Sequence, residues 1–158
     1  MLSEEITKFI GKVGDITIWE VEKGAIRRFA DVIDDQNPLY WDEEYARNSR
    51  YGSMIAPPGF FGWPTKWPRE GPILSEAAAE VKVVLTRAGY GRNLDGGIEY
   101  EFFCPIRAGD VLTALPKITD IYEQEGKTGK MVFRILETTY TNQNGDLVAK
   151  VRQTSISR

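Results

Sequence analysis

The fold class follows from the stretch MVFRILETTYTNQNGDLVAKVRQTSI, which occupies residues 131–156 of the 158-residue chain. Its two flanks are rich in β-branched and aromatic residues, which favour strands. Between them lies NQNGD, residues 142–146, a sequence typical of a hairpin turn. We therefore predict two antiparallel strands, over 131–141 and 147–156.

Further strands are predicted upstream, at 98–104 (IEYEFFC) and 111–122 (VLTALPKITDIY). The first half of the chain differs, because a short strand at 16–21 is followed by apolar residues at helical spacing over 26–33. A helical half followed by an antiparallel meander predicts one α+β domain over 1–158, with helix covering one face of the sheet.

Between these halves lies a segment rich in proline and glycine, IAPPGFFGWPTKWP at 55–68. Its prolines leave room for only a short helix between the pairs Pro57-Pro58 and Pro64-Pro68. A further helix is expected over 75–86, with Ser75 as its N-cap. The glycines of GYGRNLDGG, at 89–97, predict loops.

The composition excludes several classes of function. The chain has no histidine, which removes Ser-His-Asp triads, histidine metal sites and any histidine general base. A lone cysteine, Cys104, excludes an intrachain disulfide and a Cys-x-x-Cys metal or redox site. A net charge of -3 makes nucleic acid and anionic membrane unlikely partners. No apolar run approaches the roughly 18 residues of a membrane span, so we expect a soluble protein. The single cysteine fits the reducing cytoplasm, and the missing histidine and cysteine motifs lead us to expect neither metal nor cofactor.

The first candidate site is DDQNPLY, residues 34–40, where the amphipathic helix is predicted to end. Asp and Asn readily bond their own backbone in turns, so a purely structural role explains most of this string. The alternative is that Asp35 lies in a partly desolvated cleft and moves a proton to or from water or a substrate carbon.

Three other segments could contribute to a site. Backbone N–H groups near Gly59 could hold an oxyanion, although the residues alone favour a rigid, buried loop with aromatic packing. Trp63 and Trp67, interleaved with Lys66 and Arg69, could form a lid with a cationic rim or an ordinary aromatic cluster. Arg92 could bind an anionic tail or remain solvated.

Three blocks together resemble a known family. They are FADVIDDQNPLY (29–40), YGSMIAPPGF (51–60) and GGIEYEFFCPIRAGDVL (96–112). In this order they resemble the MaoC-like dehydratases, or (R)-specific enoyl-CoA hydratases, and within them the N-terminal MaoC-like dehydratase branch. The resemblance implies a hotdog fold, an antiparallel sheet wrapped around a central helix that starts near Pro58, with two such units pairing edge to edge.

The family motif is Asp-x-Asn-Pro-hydrophobic-His, whose Asp and His activate water. By this resemblance Asp35 takes the place of the catalytic Asp, Asn37 that of the Asn, and Tyr40 that of the His. A phenol with a pKa near 10 is a poor general base at neutral pH, so Tyr40 is expected to orient water instead. The family's oxyanion donor follows a Gly. Here Pro58 falls on that Gly, which leaves the N–H of Gly59.

The resemblance implies a hydratase/dehydratase that interconverts enoyl and 3-hydroxyacyl thioesters of CoA or an acyl carrier, with Asp35 and Tyr40 as catalytic residues. The expected substrate-binding residues are Asn37, Pro58, Gly59, Phe60, Trp63 and Arg92. The alternative is a non-catalytic acyl-binding subunit paired with a His-bearing hotdog partner, so that the chain forms either a homodimer or a heterodimer. A hotdog thioesterase is disfavoured, because residues 55–67 contain no Asp or Glu.

Overall fold

The computed structural model describes residues 2–64, 76–126 and 129–158. Within these ranges the strands are β1 (Thr17–Glu20), β2 (Trp63–Pro64), β3 (Asn93–Phe102), β4 (Val111–Gly126), β5 (Gly129–Thr141) and β6 (Leu147–Ser157). They form one antiparallel sheet in the order β2-β1-β4-β5-β6-β3. The α-helices are α1 (Glu4–Thr7), α2 (Lys23–Val32), α3 (Glu43–Asn48) and α4 (Glu76–Arg87), and a 3-10 helix spans Pro38–Tyr40. The predicted α+β architecture is confirmed.

The β5–β6 hairpin forms as predicted. Its turn is held by Asn142, whose side-chain Oδ1 accepts hydrogen bonds from the backbone N–H groups of Asn144 and Asp146, both at 3.0 Å. Gly145 supplies the positive φ of 83° that such a turn requires. The strands extend somewhat beyond the predicted bounds, because their pairing continues to the register Val132↔Ser157.

Two apolar clusters hold the helices to the sheet. In the larger one, α2 packs its buried residues Ala25, Ile26 and Ala30 against sheet residues such as Leu112 and Val148. In the smaller one, the α4 residues Val81 and Leu85 contact Ile118 and Val132 of the sheet, together with Ile6 of α1. Helices therefore pack against the inner face of β4, β5 and β6.

The segment after Pro57 is not the start of a helix, which corrects the prediction from the family resemblance. The backbone N–H of Phe60 donates to the carbonyl of Pro57 at 3.1 Å, and Gly59 has a φ of +91°. Proline at the second position and a positive φ at the third define a type II turn. The short strand β2 follows, paired with Trp19 and Glu20.

A close backbone approach explains why β2 forms here. A Cβ on Gly62 would lie 2.2 Å from the carbonyl oxygen of Glu20, so only glycine lets the two strands meet. The predicted helix over 75–86 is confirmed from Glu76 onward. The predicted cap Ser75 and the proposed lid residues Lys66, Trp67 and Arg69 lie outside the described residues.

Residues 93–97, predicted as loop, belong to β3, which is a second correction. Asn93 and Leu94 pair with Ser157 and Ile156 of β6. Gly96 lies so close to β6 that a Cβ there would be 2.7 Å from the side chain of Thr154. A β-bulge between Asp95 and Gly97 absorbs the irregularity. Gly96 and Gly97 thus belong to the strand, whereas Gly89 and Gly91 lie in the turn and loop before it, as predicted.

No helix in the described part of the chain is long and apolar enough to cross a membrane.

Candidate functional site

The backbone around Asp35 is held by three hydrogen bonds. The N–H of Asp35 donates to the carbonyl of Ala30 at 2.9 Å, which closes the end of α2. The carbonyl of Asp35 accepts from the indole Nε1 of Trp41 at 2.8 Å, and its Oδ1 accepts from the backbone N–H of Asn37 at 3.0 Å. Asp34 precedes this turn with a φ of +54°, a conformation that Asp tolerates better than most residues. Asp35 is thus a turn residue with a fixed backbone.

Asn37 caps the 3-10 helix that carries Tyr40. Its Oδ1 accepts from the backbone N–H of Leu39 at 3.1 Å, and Pro38 occupies the first helical position, where proline loses no hydrogen bond. The turn and cap roles considered for DDQNPLY are therefore present. They position Tyr40 toward the interior, where only 6% of its surface is exposed.

Tyr40 is the buried polar group of this segment. Burial raises the pKa of its hydroxyl, and the neighbouring Asp35 and Tyr51 raise it further. The hydroxyl makes no hydrogen bond to any residue within 2–64, 76–126 or 129–158. Tyr40 therefore presents a neutral phenol that can donate one hydrogen bond to a ligand.

This phenol borders a cavity of about 420 Å³. The lining comes from three segments: Asn37, Leu39 and Tyr40; Tyr51 and Ile55 to Pro58; and Phe102 to Ile106. The second and third segments are joined by a hydrogen bond from the N–H of Ala56 to the carbonyl of Ile106, at 2.8 Å. Apolar walls with a few polar groups suit a small, largely apolar ligand. Asp35 is not one of the described residues that line this cavity.

Pro58 and Gly59 lie together at the cavity wall. Pro58 lines the cavity, whereas Gly59 is the half-buried third residue of the type II turn. Its N–H makes no hydrogen bond to a described residue, and the Tyr100 hydroxyl lies 4.0 Å from the position that a Cβ on Gly59 would occupy. A free amide is therefore available here, but on a turn and not at a helix start.

Phe60 and Trp63 form an aromatic stack beside the cavity rather than within its lining. Phe60 is 4% exposed and stacks on Phe29 with ring centroids 4.9 Å apart. Trp63 meets Phe60 edge-on at 5.9 Å and leaves 52% of its surface exposed. Phe60 thus serves the core, and Trp63 is accessible to a ligand or a partner.

Arg92 lies at the far end of β3. Its backbone exchanges two hydrogen bonds of 2.8 Å with Arg158, whereas the cavity adjoins Phe102 at the opposite end of the strand. Ten strand residues separate the two ends, roughly 30 Å at the usual rise. This chain does not bring Arg92 to the cavity that contains Tyr40.

Sequence reasoning did not single out Tyr51, Phe103 and Cys104 as lining residues. An isolated bridge between Ile55 and Arg107 brings the loops that carry them together, and this long-range pairing has no local signal. Burial, with the nearby charges of Asp146 and Asp110, raises the pKa of the Cys104 thiol. Cys104 is thus a protonated wall residue rather than a nucleophile.

No group of three or more His, Cys, Asp or Glu side chains within the described ranges is placed to hold a metal ion.

Comparison with known sequences identifies relatives over most of the chain. A family model described as "FAS1-like, dehydratase domain region" matches residues 8–151. A UPF0336 protein of Thermobifida fusca is 37% identical over 108 residues, which cover 68% of this chain and 66% of that relative. A UPF0336 protein of Saccharopolyspora erythraea is 31% identical over 153 residues, covering 95% and 89%. A protein of Thermomonospora curvata, described as "Probable enoyl-CoA hydratase alpha subunit", is 29% identical over 80% of this chain and 41% of its own length.

Solved structures share the fold. The ChsH1-ChsH2 complex from Mycobacterium tuberculosis contains a chain that superposes with a TM-score of 0.81 at 16% identity, covering 96% of this chain and 90% of that one. The HadBC (3R-Hydroxyacyl-ACP Dehydratase) complex from the same organism gives 0.66 at 20% identity, covering 94% and 96%. A MaoC-like dehydratase from Rhodospirillum rubrum gives 0.60 at 21%, covering 94% and 91%. The predicted hotdog fold is confirmed.

Proposed function

The chain belongs to the FAS1-like dehydratase-region family, and from this premise we propose that it is the acyl-thioester-binding subunit of a two-chain hydratase/dehydratase. The reaction is the interconversion of enoyl and 3-hydroxyacyl thioesters, carried by CoA or an acyl carrier. This chain holds the acyl group, and a partner hotdog chain supplies the acid–base pair that adds or removes water.

The observation that carries this proposal is that no described carboxylate lines the cavity and that the chain contains no histidine. The lining is mainly apolar, and its polar side chains are those of Asn37, Tyr40, Tyr51 and Cys104. Asp35 has the family's acidic position, but its Oδ1 accepts the N–H of Asn37 and the residue does not line the cavity. The cavity is therefore better suited to binding an acyl group than to transferring a proton to or from it.

Two polar groups can orient the thioester. The Tyr40 hydroxyl can donate to the thioester or to a water beside it, since nothing in the described chain occupies it. Asn37 uses its Oδ1 as a cap, which leaves its amide NH₂ to donate into the cavity that it lines. The N–H of Gly59, which donates to no described residue, is a further donor beside Pro58. Each such hydrogen bond contributes about 0.5–1.5 kcal/mol to binding.

A partner is supported by the edge of the sheet. Phe102 and Phe103, at the end of β3, both line the cavity and remain 43% and 48% exposed. Two of the structural relatives are complexes by their printed names, ChsH1-ChsH2 and HadBC. A second hotdog chain at this edge would cover these rings and bring its own groups to the cavity mouth.

A second candidate is a self-sufficient hydratase in which Asp35 activates water. The observation that favours it is the influence of Asp35 on Tyr40, whose pKa is raised first by burial and then by this carboxylate. The charge of Asp35 therefore acts on the Tyr40 hydroxyl, as the family's Asp would act on its His.

One pair of measurements distinguishes the two candidates. The purified chain is tested for saturable binding of butyryl-CoA by calorimetry and for hydration of crotonyl-CoA. We expect binding without turnover, and turnover once a hotdog chain carrying Asp-x-Asn-Pro-x-His is added. Turnover by the chain alone that disappears in Asp35→Asn would establish the second candidate. Absence of butyryl-CoA binding, alone and with the partner, would contradict the proposed subunit.

A further inference from the structure

Strand β3 has one unpaired edge. It is the last strand of the sheet order and pairs with β6 on one side only, as far as the described residues show. From Gly97 to Phe102 its register is uninterrupted, and the sequence GIEYEF contains no proline, which would block pairing. The protective features of this edge are the β-bulge between Asp95 and Gly97 and the charged side chains of Glu99 and Glu101. A further strand can add along Gly97–Phe102 where its own charges suit these two carboxylates.

The inner face of β3 is apolar and about half exposed. Ile98 is 50% exposed, and Tyr100 and Phe102 are each 43% exposed, although Phe61 packs against both rings. Phe102 continues directly into the wall of the cavity. An added strand would extend the sheet, cover these side chains and close the cavity in one step.

The outer face of β3 is acidic. Its side chains at the centre of the uninterrupted stretch are Glu99 and Glu101, which lie opposite Arg152 and Lys150 of β6. Arg152 reaches Glu101 at 3.5 Å and also binds Glu137 at 2.7 Å. The basic residues thus lie on β6, one strand in from the edge. On the edge strand itself, the charged side chains of the outer face are the carboxylates of Glu99 and Glu101, called here the outer row.

This row conflicts with pairing to a second copy. Suppose that two copies of β3 pair antiparallel with their inner faces on the same side. A two-fold axis near the centre of the uninterrupted stretch then passes beside Glu99, Tyr100 or Glu101. An axis at Glu99 or at Glu101 places that residue opposite its own copy, and an axis at Tyr100 places Glu99 of each copy opposite Glu101 of the other. Like charges directly opposite each other destabilise a strand pair.

We propose that the β3 edge selects a hotdog partner whose own edge strand carries Lys or Arg on its outer face, and that Glu99 and Glu101 act against self-pairing. This inference rests on the proposed two-chain function and specifies the partner. Burial of the exposed rings of the inner face provides the binding energy, and the charges of the outer row determine the specificity for the partner strand.

The test uses the chain and its charge-reversed form. Glu99→Lys/Glu101→Lys leaves the inner face unchanged and gives the outer row the charge expected of the partner. Light scattering at micromolar concentration compares the parent chain, the variant and their equimolar mixture. We expect each alone to associate weakly and the mixture to form a 1:1 dimer at least about tenfold more tightly, a difference of 1.4 kcal/mol. Added salt should narrow the difference.

Two controls make the outcome decisive. Glu4→Lys/Glu5→Lys changes the same charge on exposed residues of α1, and its mixture with the parent should not gain affinity. If the reversed variant does not fold, Glu99→Gln/Glu101→Gln should self-associate more tightly than the parent. Equal association in all samples, whether dimeric or monomeric, would overturn the inference. Butyryl-CoA binding is measured separately, so a failure of the proposed function would appear there and not in the scattering.

Discussion

Asp35 and Tyr40 are electrostatically linked, since the pKa of the Tyr40 phenol is raised by burial and then by the charge of the Asp35 carboxylate. In the resembling family these positions hold an Asp and a His. Imidazole gains and loses a proton near neutral pH, whereas a phenol with a raised pKa stays protonated. We therefore expect Tyr40 to donate a hydrogen bond at the position where the family's His transfers a proton.

Asp35→Asn should lower the pKa of Tyr40 while leaving stability within about 0.5 kcal/mol of the parent. The amide oxygen can still accept the N–H of Asn37, so the turn survives and only the charge is lost. The titration is followed by NMR with labelled tyrosine, and stability by thermal unfolding. Asp34→Asn is the matched control, because it removes one charge from the adjacent residue; its Tyr40 should titrate as in the parent. An unchanged Tyr40 titration in Asp35→Asn would contradict the link.

Tyr40→Phe and Tyr40→His test the two sides of this exchange. Tyr40→Phe should weaken butyryl-CoA binding by the value of one hydrogen bond, about 0.5–1.5 kcal/mol, because the hydroxyl serves no described protein group. Tyr40→His should add crotonyl-CoA hydration above that of the parent chain, if restoring the Asp–His pair is enough. Calorimetry measures the first effect and an enoyl-CoA hydration assay the second. Equal hydration by all three forms would mean that the site lacks more than an imidazole.

The elements that sequence patterns predicted are those with local causes. The turn of the β5–β6 hairpin is held by Asn142 and Gly145, which both lie within its five residues. The local sequence is therefore sufficient to predict it. The cap by Asn37 is equally local. The α+β class and the turn that carries Tyr40 could thus be predicted from short stretches of chain, whereas the hotdog fold was predicted from the family resemblance.

The elements that were missed depend on partners distant in sequence. Pro58 and Gly59 form a turn and not a helix start, because the chain then pairs β2 with β1, more than 40 residues earlier. The strand identity of residues 93–97 depends on Gly96 fitting against Thr154. The cavity requires the bridge between Ile55 and Arg107. None of these contacts leaves a periodic signal in the segment it shapes.

Gly59→Ala should destabilise the chain by about 1–2 kcal/mol, because an L side chain at a φ of +91° is strained. The cause is conformational rather than steric, since the added Cβ would meet only the Tyr100 ring and hydroxyl at 4.0 Å. Gly91→Ala is a suitable control: its φ lies outside the left-handed region and its Cβ would meet the Thr86 side chain at a similar 3.8 Å. Thermal unfolding of both variants checks this. An equal loss of stability in the two would contradict the turn assigned to Pro57–Phe60.

The free energy of unfolding should fall steeply between pH 10 and 12 because of Tyr140. Its ring stacks on Phe61 at 4.2 Å and is 8% exposed, and burial, with a smaller effect of Tyr100, raises the pKa of its hydroxyl from 10.0 to about 12. Below pH 10 the hydroxyl is neutral in both the folded and the unfolded chain, and its contribution to stability is complete. As the pH rises toward 12, the Tyr140 hydroxyl ionises mainly in the unfolded chain, so its contribution to the free energy of unfolding, roughly 2–3 kcal/mol, is lost.

Tyr140→Phe keeps the stacked ring and removes the ionisation, so its unfolding free energy should fall less steeply over this range. Tyr122→Phe, at a ring that is 40% exposed, should retain the steepness of the parent. Urea titrations at several pH values measure these slopes, and identical slopes in the parent and in Tyr140→Phe would mean that Tyr140 ionises as readily in the fold as in water.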